Sequence, residues 1–309
     1  MPRVEWSYAG TELLTCTAGT LRRHALDGAI TIVDGPHVLD ACWHEDGSIV
    51  AIDEHELTRR YTGTSSKLIE SNPPRGIASA LIAGERYLAS RAGELFAANI
   101  HRRWEWRLDP YKHSLGWWDN DGHVLAALSA DGRLAAIAYQ TRGDGDAHDA
   151  WSRAEGRGWV VFDTSKDEII DRSWTSTKRE ASWTRLAFDA TGKRLALATT
   201  EPGPCVGAIR TDRDEKYPRT HLGGATAVAI DRRGLLAAYA YPEAIAAAER
   251  RLRVDYLERG AKGGSAIAIT DTLWIDPDIT DIVALAFDRA SRRIACLGAS
   301  GTIDVVPVP

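Results

Sequence analysis

The sequence predicts an all-β chain: a single β-propeller of seven four-stranded blades with one short helical insertion. A strand–turn–strand unit recurs along the 309 residues, clearest in TRLAFDATGKRLALATT from Thr184 to Thr200. Close copies run from Thr226 to Tyr241 and from His123 to Tyr139. A bulky apolar residue precedes most of the turns by four positions, and the stretches between units lack the three-and-four apolar spacing of amphipathic helices. That lack disfavours the main rival, a parallel α/β fold. Repeats at intervals of about 40 residues are the sequence mark of propellers.

In chain order, the units turn at Gly10, Gly47, Gly84, Gly132, Gly192 and Gly234, and Ser291 takes the turn position in the last. Four residues earlier stand Trp6, Trp43, Ala80, Leu128, Phe188, Ile230 and Phe287, six of them bulky, each read as an inward anchor of an innermost strand. The turns lie 37, 37, 48, 60, 42 and 57 residues apart, so the longer intervals require insertions. The resulting blade map is 1–37, 38–76, 77–113, 114–180, 181–223, 224–278 and 279–309, one domain without a linker. The last unit stops after a third strand, and Arg3 to Trp6 are expected to supply strand material that closes the ring. A lone blade cannot bury both faces, whereas radial packing buries each against its neighbours. Inner strands covered on both faces read as near-continuous apolar runs, and the alanine-rich LAAIAY and LALATT fit crowding near the axis.

The C-terminal unit, with FDRASRR, IACLGAS and then Gly301-Thr302-Ile303-Asp304-Val305-Val306, resembles a WD40 repeat. Gly19-Thr20-Leu21 and Gly93-Glu94-Leu95 echo its third-strand start, and Trp106-Arg107-Leu108-Asp109-Pro110 and Trp274-Ile275-Asp276-Pro277 recur at presumed outer-strand ends. The resemblance is to a divergent WD40-like family and implies a rigid platform whose loops engage other proteins.

Composition narrows the function classes. A net charge of −5 gives no general attraction to phosphate backbones or anionic lipid. No apolar run reaches the roughly 18 residues of a membrane helix, and MPRVEWSYAG has no apolar signal core, so a cytoplasmic protein is expected. The excess of arginine over lysine hints at a GC-rich bacterial genome. Cys16, Cys42, Cys205 and Cys296 are far apart, three of them in apolar runs, and read as small buried hydrophobes.

Elaborated loops mark where binding is expected. Two fall between second and third strands: Thr141 to Gly158, and Pro242 to Arg251. The second is predicted helical, with proline at its start, an acidic first turn and basic last residues. A third, Asp109 to Gly122, joins two blades. Propeller topology puts all three on one face. Tyr111, Trp117, Trp118, His148 and Trp151 on these loops are the candidate partner-binding residues; the alternatives are that Trp117 and Trp118 pack inward and that Trp151 folds onto its own loop. Asp144, Asp146, His148 and Asp149 form an acidic cluster without an EF-hand's spacing, read as solvated. His37, His123 and His221, near the starts of innermost strands, are read as polar lining of the channel mouth without a metal; the alternative is that they are metal ligands there. Paired arginines (Arg22-Arg23, Arg59-Arg60, Arg102-Arg103, Arg232-Arg233, Arg292-Arg293) are spread around the ring and read as charge on exposed edges and turns. The sequence holds no GxSxG, HExxH, P-loop or Rossmann pattern. The expected function is a non-catalytic scaffold without a cofactor, presenting one decorated face to another protein in an assembly. The alternative is a lactonase-like metallohydrolase with its site at the channel mouth.

Overall fold

The structure, a computed structural model, describes the chain except residues 1, 36, 56–57, 64, 70–78, 92–93, 101–105, 109–125, 142–155, 167, 177–182, 200–205, 209–223, 246–249 and 260–266. Its strands form seven antiparallel sheets, each of strands consecutive in the chain. The first comprises Arg3–Trp6, Glu12–Thr17, Thr20–Ala25 and Ile30–Asp34, and the second Val38–Trp43, Ile49–Asp53, Thr58–Thr62 and Ser65–Ile69. The third comprises Ser79–Ala83, Arg86–Arg91, Glu94–Asn99 and Trp106–Leu108, and the fourth Ala126–Leu128, Leu134–Thr141, Gly156–Asp163 and Glu168–Ser176. The fifth has Trp183–Phe188, Arg194–Thr199 and Val206–Ala208; the sixth Ala227–Ile230, Leu236–Ile245, Arg250–Arg259 and Ile267–Ile275; the seventh Ile282–Phe287, Arg293–Gly298 and Ile303–Pro307. Within a sheet we call the strands a to d in chain order. The fifth and seventh sheets show three strands among the described residues rather than the expected four.

Strand a of each sheet packs beside strand a of the next, and that of the seventh packs against that of the first, so the sheets close a ring: a β-propeller. The core is not one mass but a set of apolar clusters, one per seam. Leu14, Cys16 and Leu21 of the first sheet meet Ala41, Trp43 and Ile49 of the second. Ala238, Leu252 and Val254 of the sixth meet Ile294 and Cys296 of the seventh. Val4, Trp6 and Leu13 meet Ala295 and Leu297 where the ring closes. Alanine is frequent on strands a and b because adjacent sheets converge toward the axis and leave room for little more than a methyl group.

The a–b turns repeat one device. The residue opening the turn accepts hydrogen bonds from backbone N–H groups four or five residues on: Ser7 from Thr11 and Glu12, Asp189 from Lys193 and Arg194, Asp231 from Leu235 and Leu236, Asp288 from Arg292 and Arg293. These side chains satisfy donors that the tight turn leaves without a ladder partner. The turn position itself is left-handed, and Ser291 adopts it at φ 59° in the one unit that lacks glycine.

Two expectations are corrected. The described part of 242–251 is strand and not helix: strand b of the sixth sheet runs to Ile245, strand c starts at Arg250, and these two residues face each other. Helix propensity offers tenths of a kcal/mol per residue. Extending a hairpin already paired from Leu236 to Ala240 outweighs it, and a ladder irregularity between Ala240 and Ile245 accommodates Pro242. Arg3–Trp6, in turn, does not complete the seventh sheet. It pairs with Glu12–Thr17 as strand a of the first, and the ring closes by side-chain packing.

Candidate functional site

The a–b and c–d turns share one face, whose a–b turns are short and tied from blade to blade. Arg293 Nη2 donates to the Gly10 carbonyl at 3.0 Å, Arg86 Nη1 to the Thr164 carbonyl at 3.0 Å, and Arg194 to the Gly234 carbonyl. Ser291 Oγ donates to Asp231 Oδ2 at 2.8 Å. Arg293, expected as solvated charge, thus joins the seventh blade to the first. The overlooked signal is an arginine two residues after the turn position in three of the units.

Strands a enclose an axial cavity of roughly 570 Å³. Its lining combines Ala, Val, Leu and Ile with charged residues, Glu45, Asp131, Arg185, Arg232 and Arg289 among them, and with a cluster around Arg3. Arg3 donates to Asp40 Oδ2 at 2.7 Å, to the Ile82 carbonyl at 2.6 Å and to Glu5 Oε2 at 3.0 Å. Asp40 is buried, and its Oδ2 also accepts the Ile82 N–H at 2.8 Å. Three adjacent blades are stapled by one ion pair. Burial pushes the Glu5 carboxyl above its usual range, with Asp40 adding to the rise and Arg3 opposing it. For the Arg3 guanidinium, burial works toward a lower value but the neighbouring carboxylates outweigh it, and it is held charged.

The d–a and b–c connections share the opposite face. Tyr111, Trp117, Trp118, His148 and Trp151 lie outside the described residues, as do His123, His221 and the acidic cluster at 144–149. The described strands supply their anchors: Leu108 and Ala126 flank 109–125, and Thr141 faces Gly156 at the base of 142–155. His37 is described and does not line the axial cavity; no histidine does among the described residues. The structure brings it instead to Glu54 and His55. His37 enters strand a of the second blade while Glu54 and His55 leave strand b, and the Val38–Asp53 pairing closes the gap. Glu54 N–H donates to the His37 carbonyl at 2.9 Å, extending the ladder by one rung. Asp53 Oδ1 accepts the His55 N–H at 2.9 Å and turns the chain. The two rings then stand 4.8 Å apart, with His37 Nδ1 2.5 Å from Glu54 Oε1. All three side chains are exposed. Glu54 and His55 escaped the sequence reading because only the hairpin register brings them beside His37.

No protein-family profile matches the chain, and no curated protein matches it in sequence. Solved structures do. The C-terminal WD40 domain of Sif2 superposes with a TM-score of 0.58 at 14% identity, over 99% of this chain and 81% of that one. The β-propeller domain of Cps50 (Swd1) from Myceliophteria thermophila gives a TM-score of 0.61 at 13% identity, over 99% and 96%. The fold is that of a WD40 β-propeller. A chain in the Mitotic Checkpoint Complex superposes equally, with a TM-score of 0.61 at 12% identity over 99% and 90%. At such identities the WD40 likeness shows the ring architecture alone.

Proposed function

We propose that this WD40-type propeller is a non-catalytic scaffold that receives a protein partner on its b–c/d–a face, within a multiprotein assembly. The observation that carries this reading is the asymmetry of the two faces. On one, the a–b turns are short, side-chain-capped and tied between blades; the other carries the longest connections, with aromatic residues at 111, 117, 118 and 151. An aromatic core with a polar rim is the usual anatomy of a protein interface. A structural neighbour that is part of the Mitotic Checkpoint Complex supports the assembly role by fold analogy.

The test is affinity capture with quantitative mass spectrometry, followed by calorimetry on the captured partner. Trp117→Ala, Trp118→Ala or Trp151→Ala is expected to weaken binding by about thirtyfold, the effect of removing about 2 kcal/mol of interface energy. Arg232→Ala on the opposite face serves as control. Equal loss in the control, or full binding after deletion of 143–156, defeats the reading. The metallohydrolase alternative is weaker, because His37 is turned to Glu54 and His55 rather than to the channel cavity.

A further inference from the structure

We propose that His37, Glu54 and His55 form a binding site for a divalent transition-metal ion of the zinc class, with one nitrogen of each imidazole and one Glu54 carboxylate oxygen as ligands. The ligand atoms already lie within 4.8 Å of one another. A tetrahedral zinc ion with bonds of about 2.0–2.2 Å sets its donors about 3.3–3.6 Å apart. Here the Glu54 oxygen stands 2.5 Å from His37 Nδ1 and 4.0 Å from His55 Nε2, values on either side of that separation. Convergence needs only side-chain rotation, since all three groups are about half exposed.

The backbone has done the expensive part. The Glu54–His37 rung and the Asp53 bond to the His55 N–H hold the three Cα positions together, so the ordering entropy left to be lost on binding is that of the side chains. The donor set selects the ion. Two imidazoles and a carboxylate suit zinc, nickel, copper or cobalt, while calcium and magnesium favour all-oxygen shells. Three protein ligands leave a coordination position open, to water or to a donor on a molecule docked at this face. The site belongs to the second blade alone and needs neither His123 nor His221.

The test uses the full chain without a histidine tag. Zinc chloride is titrated by calorimetry at pH 7.5, and cobalt chloride by its visible ligand-field bands. One equivalent of metal is expected to depend on the triad. Affinity should fall tenfold or more in Glu54→Gln and vanish in His37→Ala and His55→Ala. His44→Gln, a histidine at an a–b turn, should leave it unchanged. Zinc should raise the melting temperature of the parent chain but not of His55→Ala, because an ion bound only to the folded state stabilises it. The substituted side chains are exposed, so the variants are expected to fold, and circular dichroism checks this. No saturable binding at 100-fold molar excess, equal binding in the triad variants, or loss of binding in His123→Ala or His221→Ala would overturn the proposal.

Discussion

The indole Nε1 of Trp6 donates to the carbonyl oxygen of Ala286 at 3.0 Å, across 280 residues of chain. The Arg293 guanidinium stacks on the same ring, 4.5 Å from its centroid, and reaches past it to the Gly10 carbonyl. Trp6 therefore serves twice: it packs the seam between the first and last sheets, and it is fixed there by one hydrogen bond and one cation. Since no strand is exchanged between these sheets among the described residues, closure of the ring depends on such side chains.

Trp6→Ala is expected to cost about 3–5 kcal/mol, the range for removing a large buried aromatic. Trp6→Phe keeps most of the packing and loses the hydrogen bond, about 1 kcal/mol. Chemical denaturation of both variants checks the order. A Trp6→Ala chain as stable as the parent would show that the seam does not hold the ring.

The turn glycines should differ in their tolerance of alanine. A Cβ on Gly47, at φ 80°, would meet nothing within 4 Å, so Gly47→Ala costs only the left-handed backbone, about 1–2 kcal/mol. A Cβ on Gly132 would stand 2.5 Å from the Ala83 carbonyl oxygen and 2.6 Å from Arg86 Cβ in the adjoining blade. Gly132→Ala must therefore also push two blades apart. Melting temperatures should rank Gly132→Ala well below Gly47→Ala, and equal values would refute the close approach.

Buried thiols should be inert. Burial, with Asp40's charge adding, pushes the Cys16 thiol up to about 12; burial and Asp304 do the same for Cys296, also to about 12. Burial raises the Cys42 thiol as well. Since the thiolate is the reactive form, native protein at pH 8 should yield at most one fast-reacting equivalent with a disulfide reagent, assignable to Cys205, and four in denaturant. Two or more fast equivalents would count against these burial sites.

Stability should fall on mild acidification, in part through His24. This buried ring, 2.9 Å from Thr15 Oγ1, is held below its ordinary value of 6.5 by burial and by the charge of Arg22. Above pH 6.5 both folded and unfolded chains keep the ring neutral and stability is full. As pH falls through that value the unfolded chain takes up the proton first, so stability drops until the folded-state value is also passed. Denaturation midpoints between pH 7.5 and 5.5 should decline less steeply in His24→Gln than in the parent, and identical slopes would exclude His24 as a contributor.

The sequence by itself determined the all-β repeat and the position of each turn, because both are local. A capped hairpin with an apolar anchor is written within about 17 contiguous residues, as in Thr184 to Thr200. It also marked which connections are long. Only the tertiary structure decided how Arg3–Trp6 pairs, that Pro242–Ile245 extends a strand, that Arg293 bridges to Gly10, and that His37 meets Glu54 and His55. Each of these joins groups distant in the chain, or sets a weak local preference against a ladder already begun. Composition and spacing record what a residue favours alone; register and ring closure decide which neighbour it receives.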